Sequence, residues 1–292
     1  MTHSRLLQTL LLSTTLLGSA CVADSNGTDQ TDPSADDTVV HMMPLGGVDA
    51  PVSNAAPAGA HLTNFGGPIL KNISVHPVFW NANTQFQSNL NAFYNAVTAS
   101  PLWSMLTQYG IGNGSGVAGF VDNKTTTSVT DAAIHTELNR LFALATPPIP
   151  LPNANNYYPV HFPSGVSITA PDGSKSCVVF CAYHGTYVRN GVNVNYGVIP
   201  DQGGGCAGGC GNNAQRVNNL DSVSSHELIE ATTDPAVGLA TVIGKPLAWY
   251  DPNNGEIGDI CNGQQSTTVG RDGVTYVIQT EFSNSANNCV SH

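Results

Sequence analysis

Residues 224–261, SSHELIEATTDPAVGLATVIGKPLAWYDPNNGEIGDIC, govern how every other segment is interpreted. They carry Glu227, Glu230 and Glu256, three of the five glutamates in 292 residues, together with His226, Asp234, Asp251 and Asp259. Charged residues make up only 10% of the chain, so this crowding points to a metal-binding or hydrolytic centre rather than to a solvated face.

The spacing predicts a helix over about 222–233. On it His226, Glu230 and Asp234 follow one another at four-residue steps along one stripe, with roughly 6 Å between successive Cβ atoms. Such a stripe suits two ligands on one divalent cation, and Glu227 stands beside them as a general base. Zinc peptidases with a His-Glu-x-x-His helix use this arrangement to polarise water; here Glu230 replaces the second histidine. One histidine with several carboxylates fits zinc and also the harder cations calcium and manganese. The third ligand comes from Asp234, Glu256 or Asp259, and one of these acids can instead orient His226 through its other ring nitrogen. A plainer account makes Ser224-x-x-Glu227 a capping box at a helix start, with Asp234-Pro235 as the exit. A cap leaves Asp251, Glu256 and Asp259 in the following Gly-Asn-rich turn unexplained. Asp251, Asn253 and Gly255 resemble the start of an EF-hand loop, but the glycine falls one position early and no glutamate closes it, so calcium is weakly signalled there.

Upstream, 72–80 reads as a strand, Thr84-x-x-Gln87 as a capping box for a helix with Phe86, Leu90, Phe93 and Val97 at helical spacing, and 101–109 as a short helix opened by Pro101. A strand over 116–122 and a helix over about 130–145 follow, stopped by Pro147-Pro148. Apolar runs at 157–162, 176–183 and 193–199, separated by Gly, Asn and Pro turns, read as a sheet. The predicted fold class is α+β: a zincin-like mixed sheet with an active-site helix and an irregular disulfide-linked C-terminal lobe. By that analogy 193–199, the last strand before the helix, is the edge against which a substrate lies. His184 lies on the face of Val178, Phe180 and Ala182 and can project toward the helix, although a hydrogen-bonded structural role is the stronger expectation. His76 and His161 read as core residues; His135, His41 and His61 read as incidental. Trp249 and Tyr250 read as packing at the lobe boundary.

The remainder of the chain sets the compartment. Nine Lys and Arg against twenty acids give a formal charge of −11, which excludes nucleic acid as a partner. Residues 1–20, with Arg5 before an apolar run, read as a signal peptide too short to span a membrane. Leu17-Gly18-Ser19-Ala20-Cys21 resembles a bacterial lipobox that would lipidate Cys21, with simple cleavage after Ala20 as the rival. Residues 21–61 read as a disordered tether, leaving 62–292 as one globular domain. Besides Cys21 there are Cys177, Cys181, Cys206, Cys210, Cys261 and Cys289, which suggests three disulfides in an exported protein, Cys261 with Cys289 being the favoured pair. The two Cys-x-x-x-Cys pairs can alternatively bind metal. The expected location is the outer membrane or cell surface through the lipid anchor, otherwise secretion.

The run HELIEATTDP, then AWYD, EIGDIC and the tail YVIQTEFSNSANNC, with looser matches at FWN and FCAYH, resembles bacterial relatives of the plant EXORDIUM or phosphate-induced protein family over most of residues 70–292. The resemblance implies an exported, wall-associated protein and transfers neither a reaction nor catalytic residues. The leading expectation is thus an exported metal-dependent hydrolase, a zincin-type peptidase acting on a peptide or cell-wall substrate. The metal is zinc, with calcium as the alternative. The competing expectation is a non-catalytic surface or wall protein with a structural cation. A metal-free serine enzyme or glycosidase is disfavoured, since Ser225 lacks a nucleophile elbow and paired carboxylates alone do not define a sugar site.

Overall fold

The computed structural model describes residues 40–46 and 55–292. The expected signal peptide, Cys21 and much of the expected tether lie outside the described residues. In chain order the elements are β1 (His41–Pro44), β2 (Thr63–Asn64), β3 (Ser74–Val75), β4 (Val78–Phe79), helices α1 (Gln87–Val97) and α2 (Pro101–Met105), β5 (Ser115–Gly116), β6 (Phe120–Val121) and β7 (Ser128–Thr130). Helix α3 (Asp131–Phe142) leads into β8 (Asn156–His161), β9 (Ser167–Thr169), β10 (Phe180–Arg189) and β11 (Val192–Ile199). Helix α4 (Arg216–Thr233) follows, and the chain ends in β12 (Trp249–Tyr250), β13 (Gln265–Val269), β14 (Thr275–Gln279), β15 (Glu281–Ser283) and β16 (Asn288–Val290).

The main sheet runs β1-β10-β11-β8-β3-β5, with β4 beside β8 and β6 beside β4. It is mixed: β1, β10 and β11 are antiparallel, whereas β8 and the short strands beyond it are parallel. Alternation of side chains along each strand sends residues to two cores. Tyr158, Val160, Tyr196 and Val198 pack with Ile134, Leu138, Leu141 and Phe142 of α3. Tyr157, Ala182 and Ile199 face the other way, with Val223, Leu228 and Ile229 of α4 and Phe93 and Val97 of α1.

Three expectations need correction. The run 193–199 is not an edge, because β11 is paired on both sides, by β10 and β8. The edge beside β10 is filled by β1, from the segment expected to be tether, and residues 63–64 pair with β12. Nor is Ser224-x-x-Glu227 a cap: α4 starts at Arg216, so both residues lie mid-helix where backbone N–H groups already have partners. From Asn219 to Thr233 every α4 residue is buried, and three of its hydroxyls bond back to the helix, Ser225 to Ser222 O (2.7 Å), Thr232 to Leu228 O (2.6 Å) and Thr233 to Ile229 O (2.9 Å). A helix polar on every side stays inside because the sheet covers one flank and β14 the other.

Disulfides join Cys177 to Cys206, Cys181 to Cys210 and Cys261 to Cys289, so the two Cys-x-x-x-Cys pairs are structural and do not bind metal. The first two tie the start of β10 to the glycine-rich loop before α4. The third ties β16 to the acidic turn. Each spans 28 or 29 residues, which by chain entropy stabilises the fold by about 3.5 kcal/mol per bridge. Three bridges imply folding in an oxidising compartment. Among the described residues no helix is long and apolar enough to cross a membrane.

Candidate metal centre

Three elements and one turn bring their polar atoms to one point. His226 and Glu230, one turn apart on α4, approach at Nε2···Oε2 3.1 Å. From β10, His184 Nε2 lies 3.2 Å from Glu256 Oε2 and 3.7 Å from Glu230 Oε2. From β1, His41 Nδ1 lies 3.3 Å from Glu256 Oε2. All except His41 are fully buried; its side chain is 28% exposed.

The turn after β12 is shaped to deliver Glu256. Asp251 accepts the backbone N–H groups of Asn253 and Asn254 and, across the chain, that of His61 at 2.7 Å. Burial pushes its acid up, but these donors outweigh it and hold Asp251 below the usual carboxylate range. Asp251 is thus spent on the turn. Asp259 Oδ2 accepts Glu256 N–H (3.1 Å), and Asp259 N–H donates to Glu230 Oε1 (3.0 Å), so the turn also aims Glu230. Asp259 shares a possible ligand group with His41 and Glu256. Asp234 stands apart, capping the end of α4 and accepting Ala248 N–H at 2.9 Å.

Glu227 is sealed beside this group, and neither of its oxygens has a hydrogen-bond partner. Burial drives its pKa well up; His226 opposes this, and Glu230 and Asp259 reinforce it. Burial works against charge on His226, yet Glu230, Glu227 and Glu281 together lift that ring well above its usual pKa. Burial likewise raises Glu230, but His226, the largest opposing influence, outweighs it and holds the acid below its usual range. His184 is pushed down to about 3, chiefly by burial, and is therefore a neutral ring at physiological pH. Burial and its acidic neighbours push Glu256 well up and Asp259 up to about 7.

Four residues here were left out of the expected site. His184 reaches the helix as its strand face allows; His41, read as incidental, is brought in by β1. Glu281, on β15, is fully buried with both oxygens unpartnered, and its acid is raised by burial against the pull of His226. The rarity of glutamate was its available signal. Gln279 had none: its Oε1 accepts Gly263 N–H (3.1 Å), and its Nε2 donates to Gly258 O (2.9 Å) and lies 2.7 Å from His226 Nδ1.

The remaining histidines stand elsewhere. His161 Nε2 meets Tyr94 OH at 2.9 Å in the core, and His76 pairs with Ser74 Oγ at 2.9 Å, as expected of core residues. His135 is not incidental: it is buried, stacks on Tyr187 at 4.2 Å and lies 3.1 Å from Asp131. Trp249 packs on Tyr109 at 5.0 Å and donates to its carbonyl. Comparison with protein-family models, with curated proteins and with solved structures finds no match to this chain.

Proposed function

We propose that the cluster holds one divalent cation, zinc, and that the protein is an exported zincin-type hydrolase acting on peptides. His226 Nε2, Glu230 Oε2, His184 Nε2 and Glu256 Oε2 are the ligands. One observation carries the reading: His184, Glu230 and Glu256 offer ligand atoms all within 4.8 Å of one another, and so do His226, Glu227 and Glu230, with Glu230 common to both groups. The 3.1 Å approach of His226 to Glu230 is not a formed hydrogen bond, since His226 Nε2 has no such partner. Among the described residues only histidines form ion pairs with these acids, which leaves buried negative charge that a cation neutralises. Two imidazoles suit zinc; calcium prefers six to eight oxygens.

A bound cation supplies Lewis-acid polarisation at the scissile carbonyl. Glu227, with neither oxygen hydrogen-bonded, would take the proton of the attacking water and return it to the leaving amine. The Asp259 N–H holds Glu230 in position. The resemblance of the C-terminal motifs to the EXORDIUM family, a lipid anchor at Cys21 and a cell-surface location belong to the same proposal. Elemental analysis is expected to find one zinc per chain, lost in His226→Ala. Glu227→Gln is expected to retain zinc and to lose peptide hydrolysis. Purified protein without stoichiometric metal, loaded or not, would sink the reading.

A non-catalytic surface protein is favoured by one contrary feature. Gln279 Nε2 presents a donor to His226 Nδ1, which puts the proton of a neutral ring on Nε2, toward Glu230. A zinc ligand requires the opposite tautomer. Imidazole ¹⁵N shifts of His226 separate the readings: a bare Nε2 with a protonated Nδ1 belongs to the metal site, and a protonated Nε2 to the scaffold.

A further inference from the structure

The edge strand lies across the cluster as a peptide would. β1 pairs antiparallel with β10, His41 opposite His184 and Met43 opposite Ala182. Partners in such a ladder share a face, so His41 and Met43 point toward α4. Met43 is buried in the α4 core, and His41 Nδ1 reaches Glu256. Two further bonds extend the contact, Leu45 N–H to Val179 O and Gly46 N–H to Gly209 O, both 2.9 Å. A Cβ on Gly209 would meet Gly46 O at 2.4 Å, so this glycine is fitted to the passing backbone. His41 and Asp259 alone keep this group of His41, His184, His226 and the five acids Glu227, Glu230, Glu256, Asp259 and Glu281 from complete burial.

We propose that the edge of β10 is a peptide-binding site and that residues 40–46 are its resident occupant, so that an extended peptide enters, antiparallel to β10, only when β1 leaves. Strand addition to an exposed edge uses main-chain hydrogen bonds for affinity and alternate side chains for selection. The ligand is therefore an extended peptide with an apolar side chain at the Met43 position and, two residues before it, a side chain able to sit against Glu256. β1 is held by one flank only, because among the described residues it pairs with β10 and with no other strand, so its departure leaves the β10 edge open. The claim that this opens a catalytic centre rests on the hydrolase reading above; the claim of a peptide site does not.

The test uses the full chain. Met43→Asp places a charge in the α4 core, and Leu45→Pro removes the N–H bonded to Val179; both unseat β1 without touching a proposed ligand. Amide exchange across 182–184 is expected to rise by about tenfold or more in at least one variant. A synthetic peptide of residues 40–46 is expected to bind that variant and restore protection, and to leave the parent chain unchanged. Exposed amides that the peptide fails to protect would overturn the inference, as would protection unchanged in both variants. Cleavage of unrelated extended peptides is expected to rise by about tenfold or more in the same variant. Peptide binding without turnover in a zinc-loaded variant overturns the hydrolase reading alone and leaves the peptide site standing.

Discussion

A carbon added at Gly258 would sit 2.7 Å from His226 Nδ1 and 2.8 Å from Glu230 Oε1, so the side chains of the centre lean on bare backbone. Gly258→Ala is expected to cost about 1–3 kcal/mol and to weaken zinc binding, measured by urea unfolding and metal titration; wild-type values for both would show that the contact yields. Asp221 gives a separate reading at this scale. It is buried on α4 with Asn89 Nδ2 at 2.7 Å, and burial raises its acid from 3.8 to about 7 against the pull of that amide. The folded chain therefore holds a proton that the unfolded chain releases, and stability present below about pH 4 is lost as pH climbs toward 7. Between about pH 5 and pH 8 this site alone removes about 2–3 kcal/mol. Asp221→Asn should lack that part of the slope in urea unfolding at the two pH values. A slope equal to the parent's would mean that Asp221 is ionised in the fold. Asp234 and Asp259, also raised, slope the same way, so only the difference between the proteins is informative.

Helix α4 shows why local pattern misjudges an element. The Ser224-x-x-Glu227 signature is genuine chemistry for a helix start, yet 216–223 extend the helix upstream because tertiary cover relieves them of the need for an amphipathic face. The polar side chains of α4 follow from the same cause, since the sheet and β14 leave it no solvent side. The disulfide between Cys261 and Cys289 anchors the turn that delivers Glu256 and Asp259. Cys261→Ser with Cys289→Ser is expected to lower stability by about 2–4 kcal/mol and to weaken zinc binding, because the acids lose their fixed approach. Calorimetry with metal titration measures both, and stability loss with unaltered zinc affinity would show that the turn is held by Asp251 alone.

For the molecule as a whole, a cation bound only by the folded state adds its binding energy to folding. Chelation is expected to lower the melting temperature of the mature protein by roughly 5–10 °C, and an unchanged melt in a protein shown to carry zinc would oppose ligation by this cluster. The composition and the spacing along α4 were enough to identify His226, Glu227 and Glu230 as neighbours, because a helix converts a four-residue step into one stripe whatever surrounds it. Glu256 and Asp259 were legible as acids in a short turn, and Cys261–Cys289 as a local staple. His41 was not legible: four residues in a polar segment carry no periodicity of their own, and β1 exists only because β10 offers an unpaired edge. The same holds for Gln279 and Glu281, whose strands meet α4 through folding and not through spacing. Sequence alone determined that His226, Glu227 and Glu230 share one stretch of helix, together with its short-range geometry. Tertiary structure decided which side chains share a centre and what covers it, because contacts between distant segments depend on how the sheet edge and the cores close, and no local pattern encodes that.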